Sequence, residues 1–78
     1  MAKHILSPLP GTFYRKPAPD KPNFKSEGDM IVVGDVIGLI EVMKSFNEVK
    51  ADQAGQISKF LADNEDPVIA GQPLLEFS

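Results

Sequence analysis

The segment DMIVVGDVI, residues 29–37, recurs in related form as DPVIAGQPL, residues 66–74. The two copies lie 37 residues apart and agree at four paired positions: Asp29/Asp66, Ile31/Val68, Gly34/Gly71 and Ile37/Leu74. A fixed offset of this length indicates an internal structural repeat. In each copy a glycine precedes a new run of apolar residues, a pattern typical of a turn that leads into a β-strand. The repeat therefore predicts two similar β half-units.

A second pair of segments shows where the two halves differ. SPLPGTF, residues 7–13, resembles ADQAGQI, residues 51–57, but these copies lie 44 residues apart. The first half therefore holds seven extra residues, which must fall between Gly11 and Asp29. The proline-rich stretch RKPAPDKP, residues 15–22, lies in that interval, and we predict that it forms an inserted loop.

Short β-runs connect these landmarks. Residues 36–42 are rich in β-branched side chains, and residues 45–51 mix polar and apolar positions as a half-exposed strand does. Residues 58–65 are the best helical segment, but β signals flank them and a proline follows, so we predict a strand here. Ile57 and Phe60 can share one face of that strand only if a β-bulge lies between them.

Two half-units that cannot bury their apolar faces alone are expected to pack on each other about a pseudo-twofold axis. We therefore predict an all-β fold, a flattened β-barrel or sandwich that forms a single domain over residues 1–78. Four phenylalanines are assigned mainly to its core: Phe13, Phe46, Phe60 and Phe77.

The composition argues against several classes of protein. The net charge of -3 comes without a basic stripe interleaved with aromatic residues, so no nucleic acid is expected as a partner. No segment approaches the roughly 20 apolar residues of a membrane span, so no membrane partner is expected either. The chain has no cysteine, which suits a reducing compartment, and we expect a soluble cytoplasmic protein. His4, the single histidine, has no metal ligand at a suitable spacing, so no metal site is expected.

Lys44 follows Met43 in a short connection between the strand-like runs 36–42 and 45–51. No Gly, Asn or Pro is present to make the turn, so ordinary hairpin chemistry does not explain the connection. Something other than folding therefore selects these two residues. The 37-residue offset places the counterpart of this turn beyond residue 78, so we expect the turn and the chain ends to lie at opposite ends of the domain.

The residues around Lys44 resemble those of biotinyl domains. Glu41-Val42-Met43-Lys44 is similar to the Glu-Ala-Met-Lys signature of that family. SPLPGTFYR, residues 7–15, is similar to the opening of the biotin carboxyl carrier proteins of bacterial and plastid acetyl-CoA carboxylase. The likeness covers nearly the whole chain, residues 6–77. It implies the biotinyl/lipoyl hammerhead fold, with the stretch at 15–22 as the loop called the thumb.

The resemblance also implies a function. Lys44 would be covalently biotinylated by a biotin protein ligase and would carry carboxylate from a biotin carboxylase to a carboxyltransferase, as in the acetyl-CoA carboxylase of fatty acid biosynthesis. The domain itself would not be an enzyme, in keeping with the absence of any catalytic grouping of His, Ser and carboxylate residues. Glu41, Met43 and Ser45 would form the surroundings of the attached biotin, and Lys16 of the thumb would face the biotin ring.

Three residues depart from the family pattern. Val42 replaces Ala and Ser45 replaces Met, so we expect slower biotinylation. Lys16 replaces a small hydroxyl residue, so we expect a weaker or rearranged contact between the thumb and biotin. Three alternatives stay open: a carrier of another biotin-dependent carboxylase, a lipoyl carrier domain, which typically has Asp before the lysine, and an unmodified biotinyl-like module that only binds a protein partner.

Overall fold

The computed structural model describes residues 3–78, which form eight β-strands joined by turns and loops. The strands are β1 (Lys3–Leu6), β2 (Gly11–Tyr14), β3 (Met30–Ile31), β4 (Val36–Val42), β5 (Ser45–Lys50), β6 (Gly55–Phe60), β7 (Asp66–Val68) and β8 (Pro73–Phe77). Residues 3–78 include no helix, and hence none long and apolar enough to cross a membrane.

Two four-stranded antiparallel sheets enclose one core. The first sheet has the strand order β1-β8-β6-β3 and the second the order β5-β4-β2-β7. The two orders correspond strand by strand through the 44- and 37-residue offsets: β1 to β5, β8 to β4, β6 to β2 and β3 to β7. The prediction of an all-β flattened sandwich made of two pseudo-twofold halves is therefore confirmed.

The pseudo-symmetry extends to places where two backbones approach closely. Gly11 of β2 lies so near the carbonyl oxygen of Glu41 that a side chain would collide with it, and Gly55 of β6 lies in the same way against the carbonyl oxygen of Ser78. The two glycines are 44 residues apart and the two carbonyls 37 residues apart. Each half therefore requires glycine at the same structural position, because only glycine lacks the Cβ atom.

Backbone hydrogen bonds between the segments repeat in the same way. The Ser7 amide donates to the Gln72 carbonyl, and the Ala51 amide donates to the Asp35 carbonyl, both at 2.8 Å. The carbonyls of Ser7 and Ala51 each accept, in return, from the glycine that precedes this partner. These reciprocal bonds fix the residue after β1 and after β5 to the turns that precede β8 and β4.

The centre of the core contains two equivalent cross-strand pairs. Phe13 pairs with Ile40 between β2 and β4, and Ile57 pairs with Phe77 between β6 and β8. Phe13 is thus equivalent to Ile57, and Ile40 to Phe77. Each pair therefore contains one phenylalanine and one isoleucine and fills the same volume. All four are buried, and full burial of such a side chain contributes about 1.5–3 kcal/mol to folding.

The phenylalanines divide into buried and exposed positions. Phe13 and Phe77 have no exposed surface, as predicted, and Phe60 is partly buried against the core. Phe46 is 58% exposed, so the prediction that it belongs to the core was wrong. The reason is the alternation of side chains along β5: Val49 faces the core, and Phe46, three residues earlier, must face outward.

The irregular strand β6 confirms the predicted bulge. Its pairing with β8 shifts register between Ile57 and Lys59. The extra residue brings Phe60 back toward the core side, where it packs against the cluster that contains Ile57. The segment 58–65 continues as strand and turn, in agreement with the sequence interpretation.

The connection between β2 and β3 is where the two halves differ. Between equivalent backbone positions it has 13 residues, 15–27, whereas the second half has six, 59–64. The Phe24 amide donates to the Arg15 carbonyl at 2.8 Å and closes the base of a loop, which we call the inserted loop, residues 15–24. Near its tip the Lys21 amide donates to the Ala18 carbonyl at 3.1 Å.

Lys25 joins the end of this connection to the turn before β4. Its Nζ lies 3.3 Å from Oδ2 of Asp35, which also accepts a hydrogen bond from the Val32 amide at 3.0 Å. The hydrogen bond from the Val32 amide is the main reason that the pKa of Asp35 is lowered. Desolvation, the next largest effect, opposes this shift, and the hydrogen bond and charge of Lys25 add to it. In the second half the neutral amide oxygen of Gln72 accepts the equivalent bond from Ile69.

We predict that Asp35→Asn lowers the free energy of unfolding more at neutral pH than in acid. Because folding lowers the pKa of Asp35, its ionised carboxylate stabilises the fold fully above the unfolded value of about 4, and this contribution is lost as the pH falls through the folded value. Urea unfolding at about pH 7 and about pH 2.5 measures the difference. Asp52→Asn, at an exposed bend, is the control, and an equal loss at both pH values would contradict the prediction.

Candidate functional site

The β4–β5 turn presents its two central residues to solvent. Met43 is 94% exposed, and Lys44 beside it is also exposed. Val42 and Ser45 form the last cross-strand pair before the turn. The lysine therefore stands exposed at the tip of the β4–β5 hairpin.

Both central residues of this turn have left-handed backbone conformations. The φ angle is 50° at Met43 and 67° at Lys44. Such a two-residue turn matches the twist of a hairpin but favours Asn and Gly, because a Cβ atom at positive φ costs about 1–2 kcal/mol per residue. The strain that the sequence implied is therefore present in the backbone. Strained positions of this kind are found preferentially at functional sites.

The outer face of the second sheet carries a polar and aromatic cluster next to the turn. The Tyr14 hydroxyl donates to Oε1 of Glu41 at 3.3 Å. Phe46, the cross-strand partner of Glu41, lies with its ring centroid 5.9 Å from that of Tyr14 in a tilted arrangement. The two rings thus form an aromatic platform beside the turn, and Phe46 is two residues from Lys44 at the start of β5.

The carboxylates around Tyr14 perturb its hydroxyl. Desolvation is the largest effect that raises the pKa of Tyr14 above the ordinary value of 10.0, followed by the charge and hydrogen bond of Glu41 and the charge of Glu65. Each acts in the same direction, because an anionic tyrosinate would be poorly solvated and repelled by both carboxylates. Tyr14 is therefore a neutral hydrogen-bond donor at physiological pH.

A cleft of about 320 Å³ opens between this platform and the inserted loop. Its lining combines aromatic and proline rings with a few polar groups: Tyr14, Lys16, Pro17, Ala18, Pro19, Phe46, Asn64 and Glu65. A mainly apolar cavity with a small number of placed polar groups is the usual form of a small-molecule site.

Arg15 anchors the loop that forms the roof of this cleft. Its amide donates to Oδ1 of Asn64 at 2.9 Å, and its carbonyl accepts from Phe24. Its guanidinium lies 3.8 Å from the centre of the Phe60 ring, within the range of a cation–π contact. Since Arg15 directly follows β2 and Phe60 belongs to β6, these contacts fasten the inserted loop to both sheets.

The structure separates the sequence-predicted site residues into two groups. Met43, Lys44 and Ser45 are exposed at the turn, whereas Glu41 and Lys16 lie beside the cleft. The turn and the cleft adjoin, because Phe46 lines the cleft and is only two residues from Lys44.

Val42 belongs to neither group, because it is partly buried and packs against the hydrophobic core. Of the two departures next to the lysine, only Ser45 therefore lies on the exposed surface of the turn.

Several residues of the site were not anticipated as site residues. Tyr14, Asn64 and Glu65 are brought to the cleft by strand pairing over long sequence distances, which no local pattern reveals. Phe46 could have been recognised from the alternation of β5, in which it and Val49 occupy opposite faces. Glu65 has a φ of 70° at the position where the first half has Gly28, a difference that the repeat alignment could have revealed.

Comparison with known families identifies the class of domain. Residues 3–77 match the model of the family described as "Biotin-requiring enzyme". The match covers almost the whole chain, and the chain belongs to this family of biotin-requiring proteins.

The chain is similar in sequence to the biotin carboxyl carrier proteins of acetyl-CoA carboxylase. It is 43% identical to the Chlamydia pneumoniae protein, over 95% of this chain and 44% of that protein. It is 45% identical to the Nostoc protein, over 91% of this chain and 39% of that one. With the chloroplastic protein of Glycine max the identity is 46%, over 90% of this chain and 27% of the relative. The chain thus spans less than half the length of these curated relatives.

Solved structures of larger carboxylases contain a similar domain. The urea carboxylase of Kluyveromyces lactis superposes with a TM-score of 0.79 at 29% identity, covering 100% of this chain and 6% of that one. A single-chain, multi-domain long-chain acyl-CoA carboxylase gives the same TM-score at 26% identity, covering 99% of this chain and 7% of the other.

We predict that replacing Met43-Lys44 by Asn-Gly stabilises the domain. The double variant relieves two positive φ angles and should raise the free energy of unfolding by about 1–3 kcal/mol. Urea unfolding measures the gain. Lys44→Arg keeps the strained backbone and serves as the control, with a change of less than about 0.5 kcal/mol. A double variant no more stable than the wild type would show that the turn carries no such cost.

We also predict that Glu41→Gln lowers the pKa of Tyr14. The variant removes a negative charge next to the hydroxyl, so the tyrosinate becomes easier to form. Tyr14 is the single tyrosine of the chain, and its titration can be followed by ultraviolet absorbance without overlap from another tyrosine. Glu65→Gln should have a smaller effect in the same direction, and Glu48→Gln, on the adjacent strand, should have none. An unchanged pKa of Tyr14 in Glu41→Gln would contradict the effect assigned to the charge of Glu41.

Proposed function

We propose that this domain is a biotin carboxyl carrier, with Lys44 as the residue to which biotin is attached. The observation that carries the proposal is the position of Lys44, exposed at the tip of the β4–β5 hairpin in a strained turn that folding alone would fill with Asn and Gly. Membership of the biotin-requiring family and the similarity to biotin carboxyl carrier proteins support it.

The proposed modification needs an enzyme. A free alkylamine is protonated at neutral pH and is a poor nucleophile, so the acid must be activated and the amine held neutral by a biotin protein ligase. The domain supplies a well-positioned amine on a rigid hairpin. Met43 and Ser45, exposed on either side of Lys44, would meet the ligase directly.

The cleft beside the turn fits the ring of the attached group. Biotin supplies a ureido nitrogen that can accept a carboxyl group. The rings of Tyr14 and Phe46 offer an apolar floor, and the prolines of the inserted loop an apolar roof. The Lys16 ammonium can donate a hydrogen bond to the ureido oxygen in place of the hydroxyl that is usual in the family. Glu41 holds the Tyr14 hydroxyl, which keeps this aromatic floor in position.

The domain would act without catalysis of its own. Attachment to a partner subunit or domain gives the modified lysine a high effective concentration at a biotin carboxylase and at a carboxyltransferase. We propose acetyl-CoA carboxylase, and hence fatty acid biosynthesis, as the setting, on the similarity to the named carrier proteins. The likeness to the urea carboxylase of Kluyveromyces lactis favours one second candidate, a carrier for another biotin-dependent carboxylase.

We predict that co-expression with a biotin protein ligase adds the mass of a single biotinyl group, and that Lys44→Arg abolishes this gain. Lys50→Arg, at an exposed position of the same hairpin, should be modified like the wild type and serves as the control. A parallel co-expression with a lipoyl ligase tests the related modification. A lipoyl adduct would identify a lipoyl carrier, and an unmodified chain in both cases would identify a module that only binds a partner.

A further inference from the structure

Glu65 is an unexpected residue at the cleft. Its φ angle is 70°, in the left-handed region that disfavours any side chain. The equivalent position of the first half is Gly28, with a φ of 92°. The backbone contact is the same in both halves, because the Glu65 amide donates to the Phe13 carbonyl and the Gly28 amide donates to the Ile57 carbonyl. The fold is therefore compatible with glycine at this position, and the Cβ atom of Glu65 adds a steric cost at this positive φ.

The side chain of Glu65 lies where it can meet a ligand. Glu65 lines the same cleft as Lys16, and its charge acts on the hydroxyl of Tyr14 on the cleft floor. No ion pair within 4 Å joins Lys16 to Glu65 or to another acid among residues 3–78. The cleft therefore offers a hydrogen-bond donor and an acceptor that do not neutralise each other.

We infer that Glu65 completes a site for a cyclic urea: its carboxylate accepts a hydrogen bond from a ring N–H, while the Lys16 ammonium, as proposed above, donates to the ring carbonyl. A cyclic urea carries both groups on one edge, and hydrogen bonds to charged partners are about twice as strong as neutral ones. This inference rests on the proposed function, since the ureido ring of biotin on Lys44 is the ligand concerned. It also makes the cleft selective, because a lipoyl ring has neither an N–H nor a carbonyl to offer.

The cysteine-free sequence allows a test that does not depend on any ligase. The variant Lys44→Cys has a single cysteine, which can be alkylated with a biotin maleimide. A second sample of the same variant is alkylated with a lipoyl maleimide. NMR then reports the chemical shift and solvent exchange of the ureido N–H. With Glu65 present we expect a downfield shift and exchange slowed about tenfold relative to free biotin, the effect of about one charge-assisted hydrogen bond.

Glu65→Gly separates recognition from folding. Glycine relieves the positive φ, so the variant should unfold at a higher urea concentration and yet lose both the shift and the protection of the ureido N–H. Glu65→Gln, which keeps a neutral acceptor, should restore part of the effect, and Lys16→Thr should alter the signals of the ureido carbonyl more than those of the N–H. Glu48→Gln, outside the cleft, is the control and should change nothing.

Two results would overturn the inference. One is a ureido N–H in Glu65→Gly with the same shift and exchange as in the parent protein. The other is a lipoyl ring that contacts Phe46 as closely as the biotin ring does. Failure of the proposed function is a different result, because it appears as an absence of biotin on Lys44 in the ligase experiment while the alkylated protein still reports on the cleft.

Discussion

The burial of two equivalent cross-strand pairs, Phe13–Ile40 and Ile57–Phe77, is the interaction on which the rest of the structure depends. Neither sheet could bury its own pair alone, because a single four-stranded sheet leaves its apolar face open to water. Exchange of the aromatic and the aliphatic residue between the halves keeps the volume of each layer constant. Gly11 and Gly55 lie close to the neighbouring backbones at Glu41 and Ser78. Because these positions are equivalent in the two halves, the close approach belongs to the same strand packing that buries the two pairs.

The core is symmetric, so the two halves differ only at the periphery, and the proposed site lies there. The first half has the inserted loop where the second has a short connection, and the second half has Glu65 where the first has Gly28. Both differences face the cleft. Arg15 and Phe60, which stack on each other, come from the two connections and join them at the base of the loop. The proposed site is therefore built from positions at which the two halves differ, outside the core that they share.

Much of this could be predicted from the sequence because the repeat has constant offsets. The offsets of 37 and 44 residues defined the strand correspondence and located the insertion, and the missing turn residues around Lys44 identified the strained hairpin. The prediction that Phe46 lies in the core was wrong, because it rested on the apolar character of the residue. Phe46 is three residues from the buried Val49, and side chains an odd number of residues apart on a strand face opposite sides. Tyr14, Asn64 and Glu65 could not be grouped in advance, since Asn64 meets Arg15 across 49 residues of chain and side-chain hydrogen bonds at such separations leave no periodic signal.

The strand correspondence has a topological consequence. β4 and β5 are joined by the Met43-Lys44 turn, and their counterparts β8 and β1 are paired in the same register, with Lys3 opposite Phe77, but have no connection. The fold thus contains two equivalent antiparallel strand pairs, and only one of them is joined by a turn. A polypeptide could in principle be opened at that turn instead and keep the same core. The lysine occupies the hairpin that stays closed, so the proposed point of covalent modification and the point of chain entry are alternative uses of one structural position.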